Sequence, residues 1–336
     1  MSERSFTNDI VVSSRIRLAR NIKGMPFPSR ANDEDAMRSA ITSIDAVMDG
    51  APKEAQFHYV NLDRLTDYQR ISFVEKHLIS PELGKYPHSG TVLNKEETLS
   101  IMINEEDHVR IQCILPGFSL EEAYRQADGM DDIMQESVTF AFSEKYGYLT
   151  CCPTNVGTGM RAGVMLHVPA LVLRAQLSGI VTMANKFGLA IRGIYGEGSS
   201  ALGDLFQISN QNSLGQTEEE IVANVHTVAK EIIKKEREER NALLIHNEDE
   251  LKDRIQRAYG ILTNAHMIST QEAMKLLSLL RMGTDINLLQ EVNASTINTL
   301  MVNIQPATLS LIYNTETNEK QRDIFRAQYI RDYLTK

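Results

Sequence analysis

Two patterns of hydrophobic spacing share this chain and change over near residue 218, and that change constrains the fold more than any single motif. Upstream, short β-like runs alternate with stretches of helical spacing; from about residue 248 onward helix follows helix, with no convincing strand. The chain should therefore fold as a mixed strand-and-helix domain over residues 1–245 followed by a helical domain over 246–336. Its 336 residues suit one large unit and one smaller one.

Residues 11–20 alternate loosely before Gly24, Pro26 and Pro28, the pattern of a strand or extended loop ending in a turn. Asn32-Asp33-Glu34-Asp35 ahead of Ala36, Ala40, Ile44 and Val47 marks an acidic helix start, and a second helix is expected over 65–78. The runs 99–103 and 109–114 read as strands whose intervening acidic residues would sit at a hairpin bend. A helical pattern extends from Ser119 to about Phe142, and residues 148–151 read as a strand entering a glycine loop. Glu218-Glu219-Glu220 opens a long helix with Ile221, Val225, Val228 and Ile232 on one face, and its charged stretch 234–240 reads as a solvated face. Turns are expected at Gly260 and Gly283.

Lys and Arg number 35 against 44 Asp and Glu, a net charge of −9, which disfavours a general nucleic-acid surface and makes any basic function local. No run approaches a membrane span and the N-terminus lacks an apolar leader, so a cytoplasmic protein is expected. Cys113, Cys151 and Cys152 cannot build a disulfide framework, and without CxxC or HxxxH no protein metal site is expected. No GxxxxGK[ST] loop occurs, and the glycines of 196–201 are read as turn residues.

Phosphoryl transfer needs carboxylates to hold a cation and arginines to hold a polyanion. Both are present in separate segments: Glu105 and Glu106 in the acidic bend, and Arg15, Arg17, Arg110, Arg161 and Arg192 elsewhere. In an extended segment Arg15 and Arg17 share a face, either as a phosphate clamp or as charges guarding an exposed edge.

Taken together, SSRIR at 13–17, NEEDHVR at 104–110, CPTNVGTGMRAGV at 152–164, RGIYGE at 192–197 and ISNQNSLG at 208–215 resemble the phosphagen (guanidino) kinase catalytic domain, and most closely its bacterial protein arginine kinase branch. The resemblance spans roughly residues 10–245. It implies an α+β catalytic domain with a curved, mostly antiparallel sheet flanked by helices, and transfer of the γ-phosphoryl group of ATP to the guanidinium of arginine residues in proteins. Ser13, Ser14, Arg15, Ile16, Arg17, His77, Arg110, Arg161, Ala162, Gly163, Val164, Met165, Arg192, Gly193, Ile194, Tyr195, Gly196 and Glu197 would contact ATP. Taken alone, His77 reads as a structural histidine in a helix. Glu106 matches the family's catalytic carboxylate, Glu197 its second glutamate, with Glu105 beside them, and Cys152 the reactive cysteine. Mg²⁺ would be held by ATP phosphates and water, with no protein ligand.

Only 12 residues precede Ser13, where small-molecule members carry a helical domain; the guanidinium site is therefore expected to be open to an arginine presented by another protein. Gln207 and Gln211-Asn212-Ser213 depart from the charged residues common in those members. Arg322-Asp323-Ile324-Phe325-Arg326-Ala327 resembles the RDxxRA motif of protein arginine kinases, implying a phosphoarginine site, although a solvated helix also explains Arg322 and Arg326 one turn apart. Leu276, Leu277, Leu279 and Leu280 are expected to support a homodimer, and packing within the domain explains them equally. The family further implies a stress-response role in which phosphoarginine marks proteins for a Clp ATPase and protease, with an McsA-like activator and a heat-shock repressor as partners. The alternatives are a kinase of free arginine and a non-catalytic phosphoarginine-binding adaptor.

Overall fold

A computed structural model describes residues 9–193, 202–315 and 318–335. The strands are β1 (Val11–Arg20), β2 (His58–Asn61), β3 (Gly90–Leu93), β4 (Leu99–Ile103), β5 (Val109–Pro116), β6 (Phe142–Ser143), β7 (Gly147–Tyr148), β8 (Met160–His167), β9 (Leu189–Gly193) and β10 (Leu205–Asn210). The helices are α1 (Asp33–Gly50), α2 (Asp67–Glu75), α3 (Leu120–Gln135), α4 (Pro169–Leu173), α5 (Leu177–Lys186), α6 (Glu218–Asn264), α7 (Thr270–Asp285), α8 (Ala294–Asn303), α9 (Pro306–Ile312) and α10 (Glu319–Leu334). Eight strands form one sheet in the order β2-β3-β4-β5-β1-β8-β10-β9, each adjacent pair antiparallel, and β6 and β7 form a separate hairpin. This is the α+β architecture read from the sequence, with helices only after residue 218 among the described residues.

The ten-residue β1 lies near the middle of the sheet. Its residues Ile16 and Leu18 point to a face where Ala162 and Val164 of β8 join Ala123, Ala127 and Met130 of α3 and Val225, Val228 and Ile232 of α6 in the main core. The other face carries Arg15 and Arg17. A second core gathers α6 beyond residue 250 with α7 to α10. Leu277 and Leu280 are fully buried within it and Leu276 and Leu279 pack against it, so those leucines are accounted for by packing inside the chain. Between the two cores α6 kinks at Asn247 (φ −142°, ψ 34°). Among the described residues no helix is long and apolar enough to cross a membrane.

Local chemistry explains where the sequence reading fails. The helix from Ser119 stops at Gln135 because residues 139–141 pair instead with the chain after β1: Lys23 N–H donates to Thr139 O at 2.9 Å and Ala141 N–H to Asn21 O at 2.7 Å. Residues 149–151 do not extend β7, since the Cys151 N–H is taken by the Asp107 carboxylate at 2.7 Å. Gly260 and Gly283 end nothing; both lie inside helices, and a Cβ on Gly283 would meet Ile255 at 2.8 Å, so this glycine permits close approach of α6 and α7. The charged stretch of α6 is not wholly solvated either. Glu236 and Arg240 are buried, with the Glu236 carboxylate accepting from the Ala170 and Leu171 amides at 3.1 and 3.0 Å and from Arg240 at 2.8 Å.

Candidate active site

Opposed residues in an antiparallel ladder project to the same face, so strand register decides which arginines meet. Arg17 opposes Arg161 on β8 and Gln112 on β5; Ala19 opposes Arg110; Gln207 on β10 opposes both Met165 and Arg192. Arg15, Arg17, Arg110, Arg161 and Arg192 therefore share one face. Arg20 turns to the other and is buried against Asp131 at 2.8 Å. Because β1 is an interior strand, the edge-guarding reading of Arg15 and Arg17 falls away.

Five like charges on one face are costly without a partner. Burial, then the Arg110 charge, brings Arg15 down to about 10. Burial, then Arg15 and Arg110, holds Arg17 well below its ordinary value, and burial followed by Arg192 lowers Arg161. Arg15 Nε donates to Gln112 Oε1 at 2.8 Å, and Arg110 reaches the Glu105 carboxylate at 2.7 Å. Among the described residues, Arg17 and Arg161 make no side-chain hydrogen bond or ion pair. Such a face calls for a polyanion.

The β4–β5 hairpin closes at Ile103 and Val109, leaving 104–108 as its bend, as the sequence suggested. Asn104 takes a left-handed φ of +51° and is held there by its amide, which accepts from Ser39 Oγ and donates to Ala36 O, both at 2.8 Å. The two adjacent glutamates then separate in role. Glu105 is 1 % exposed and accepts from the Ser80 hydroxyl and from Arg110. Glu106 is 48 % exposed at its side chain, meets Arg110 Nη2 at 3.3 Å, and opens into a cleft of about 280 Å³ that Arg17, Cys152 and Arg161 also line. Glu105 thus aims Arg110, while Glu106 remains open to a ligand.

Asp107, which the sequence reading passed over, joins this bend to the cysteine loop: its carboxylate accepts from Asn21 Nδ2 at 2.6 Å and Cys151 N at 2.7 Å. Burial raises its pKa. His108 Nδ1 accepts from the Ile22 amide at 3.0 Å, which leaves Nε2 as the donor to Pro26 O at 2.9 Å. Nothing in the string NEEDHVR distinguishes Asp107 from its acidic neighbours; only its tertiary partners do. Cys152 is half-buried at the cleft, its Sγ 3.1 Å from Thr154 Oγ1. Cys113 is a core residue whose thiol burial pushes up to about 12, whereas Cys151 is partly exposed beside Ser29.

Of the remaining residues expected to contact nucleotide, Ser13, Gly163 and Met165 lie on the arginine face, whereas Ser14, Ile16, Ala162 and Val164 are turned into the core. The Ser14 hydroxyl bonds Gly117 O and the Ser119 amide, both at 2.9 Å. Gly193 ends β9 beside Arg192. Ile194, Tyr195, Gly196 and Glu197 lie outside the described residues. His77 is not helical; it comes just after α2 at φ +60° and lines a small hollow with Ser13, Arg15, Met165 and Gln207. Burial, then Arg15, lowers its pKa to about 4.

That shift sets a pH dependence. The fold holds His77 neutral, so the unfolded chain is the better proton acceptor. Stability should fall as pH drops through the unfolded value near 6.5 and go on falling to about 4, by up to about 3 kcal/mol. Urea melts of the wild type and His77→Gln between pH 7 and pH 4 should show a shallower acid slope in the variant; parallel slopes would discard this assignment.

At the C-terminus the two motif arginines do not form a shared exposed grip. Arg322 is half-buried, and Arg326, 1 % exposed, donates to Ile304 O at 3.0 Å, Ile268 O at 2.9 Å and Asp323. The solvated-helix explanation fails for Arg326 for the same reason.

The model of the ATP:guanido phosphotransferase C-terminal catalytic domain matches residues 39–239, and that of the protein-arginine kinase McsB C-terminal domain matches residues 248–336. The chain is 46 % identical to a protein-arginine kinase of Caldanaerobacter subterraneus subsp. tengcongensis, over 98 % of each chain. It is 44 % identical to that of Bacillus subtilis, over 99 % of this chain and 92 % of the other. Among solved structures it is similar to a lombricine kinase (TM-score 0.61, 26 % identity, covering 70 % of this chain and 69 % of that one). The duplicated taurocyamine kinase of Schistosoma mansoni shares the fold (TM-score 0.64, 22 % identity, 81 % of this chain and 44 % of that one).

Proposed function

The chain belongs to the ATP:guanido phosphotransferase family, in its protein-arginine kinase branch, and from that membership we propose that it transfers the γ-phosphoryl group of ATP to arginine side chains of proteins. The observation that carries the reading is the convergence of five arginines on one sheet face beside a half-exposed glutamate.

In this reading the arginine face holds the phosphates, with Arg15, Arg17, Arg110, Arg161 and Arg192 spreading the charge that builds on the transferred group. A substrate guanidinium, with a pKa above about 12, is a poor nucleophile while protonated. Glu106 binds it and accepts the proton as a guanidino nitrogen attacks the γ-phosphorus. The N–P bond forms while the bond to the β,γ-bridging oxygen breaks, and its electron pair leaves on ADP. The Cys152 sulfur lies beside the guanidinium, and Glu197 is assigned as the second orienting carboxylate. Positioning supplies most of the rate. Among the described residues no group of three or more His, Cys, Asp or Glu side chains is placed to hold a metal. Mg²⁺ is proposed to enter bound to the ATP phosphates and water, without a protein ligand.

We place the boundary of the catalytic unit at the Asn247 kink. The 322–326 motif is proposed as a phosphoarginine site: the buried Arg326 sends Nε and Nη1 inward, and among the described residues no partner meets its Nη2. Cytoplasmic location, a homodimer, an McsA-like activator and delivery of marked proteins to a Clp ATPase are proposed from the branch alone.

The test is incubation of the purified chain with ATP, Mg²⁺ and an unfolded arginine-rich protein, read by mass spectrometry that preserves acid-labile phosphate. Phosphate on arginine side chains is expected. Label on free arginine only, or none with an activator present, would overturn the reading in favour of a small-molecule kinase or a binding adaptor respectively.

A further inference from the structure

Glu75 is a buried glutamate that the proposed chemistry does not use. It is the last residue of α2, and its carboxylate reaches across to the first turn of α9, more than 230 residues away in sequence. Oε1 accepts from the Ala307 amide at 2.9 Å, and Oε2 accepts from the Thr308 amide at 2.7 Å and the Thr308 hydroxyl at 2.8 Å. Since that hydroxyl donates to Glu75, Ser72 Oγ must donate to it, at 3.0 Å. One carboxylate thus satisfies two amides that α9 cannot pair internally, a charge-assisted arrangement worth more than a neutral bond.

Beyond Glu75 the chain runs along the nucleotide side of the sheet. Two residues on, the His77 carbonyl accepts from Gln112 Nε2 at 2.8 Å, and the same amide's Oε1 accepts from Arg15 Nε at 2.8 Å. Five residues on, the Ser80 hydroxyl bonds Glu105, which aims Arg110. His77 holds a left-handed φ of +60°, a conformation that a β-carbon makes unfavourable and that its surroundings must maintain. On the far side, Ile304, just ahead of α9, is gripped by Arg326. Hydrogen bonds joined by two short stretches of backbone, 304–307 and 75–80, therefore lead from the C-terminal helices through Glu75 to two of the five arginines.

We propose that Glu75 is a positioning residue, through which the docked C-terminal helices fix the 76–80 segment and so set Arg15 and Arg110 for ATP; this rests on the kinase reading above. Glu75→Gln replaces one acceptor oxygen with an NH₂ group facing a backbone N–H. It should raise the KM for ATP about tenfold and leave kcat at saturating ATP within about twofold. Glu75→Asp, which keeps the charge but reaches only one amide, should fall between. Thr308→Val, which removes the hydroxyl and keeps both amides, should shift KM in the same direction by a few-fold and guards against a Glu75 variant that does not fold. A lowered melting temperature with KM for ATP unchanged in all three overturns the proposal, because a purely structural clasp would behave so. A wild-type chain that neither binds ATP nor labels arginine overturns the kinase reading and this inference with it, whereas an active wild type with unchanged variants overturns the inference alone.

Discussion

Replacing Glu106 with glutamine is expected to lower kcat for protein arginine phosphorylation about a thousandfold, the range for loss of a general base, while stability and the KM for ATP stay nearly constant. The asymmetry arises from where the side chain sits. Glu106 is 48 % exposed and its one ion pair, to Arg110, spans 3.3 Å, so removing the charge costs the fold well under about 1 kcal/mol. It contributes little to the arginine face that would hold ATP, because the buried Glu105 makes the shorter contact that aims Arg110. The variant loses the group that takes the guanidinium proton at the moment the nitrogen attacks. Steady-state kinetics with a fixed protein substrate, alongside thermal melts, would decide: more than a tenth of wild-type kcat in a folded variant removes Glu106 from the role of base.

Much of this geometry is legible in sequence where the signal is local. Asn32 caps α1 by accepting from the Asp35 amide, as an Asn ahead of an acidic first turn should. The β4–β5 hairpin and its acidic bend come from two β-branched runs separated by polar residues. The alternation of Arg15 and Arg17 against Ile16 and Leu18 places two arginines on one face before any partner is known.

The illegible part depends on register and on contacts between distant segments. That Arg110, Arg161 and Arg192 join the same face requires four strand pairings whose offsets no local pattern encodes. Gly260 and Gly283 looked like turns because helix propensity disfavours glycine, yet tertiary packing overrides a penalty of about 1 kcal/mol, and at Gly283 the missing side chain is what admits Ile255. Glu236 and Arg240 looked solvated because charge runs usually are, and only the amides at the start of α4 reveal their burial. Arg326 misled in the same way: helical spacing predicts which residues share a face, not which face is covered.

Arg17→Met should separate stability from function. Arg17 is half-buried among Arg15, Arg110 and Arg161, and desolvation with those like charges holds its pKa well below the ordinary value, so the charged form is disfavoured where it stands. Methionine keeps the unbranched stem and removes the charge, so the protein without ATP should gain up to about 1 kcal/mol, as expected when a half-buried charge facing like charges is replaced by an apolar group. The same change removes one of the groups that would neutralise the transferred phosphoryl group, and kcat/KM for ATP should fall about a hundredfold to a thousandfold. The rise in melting temperature on adding ATP should shrink correspondingly, since that rise tracks affinity for the folded state. A variant that loses stability without nucleotide would mean that Arg17 is already compensated within the fold and is not held there for a polyanion. The opposed signs are what distinguish a binding residue from a structural one: an arginine kept for packing should lose stability and activity together, whereas one kept for phosphate should trade the first for the second.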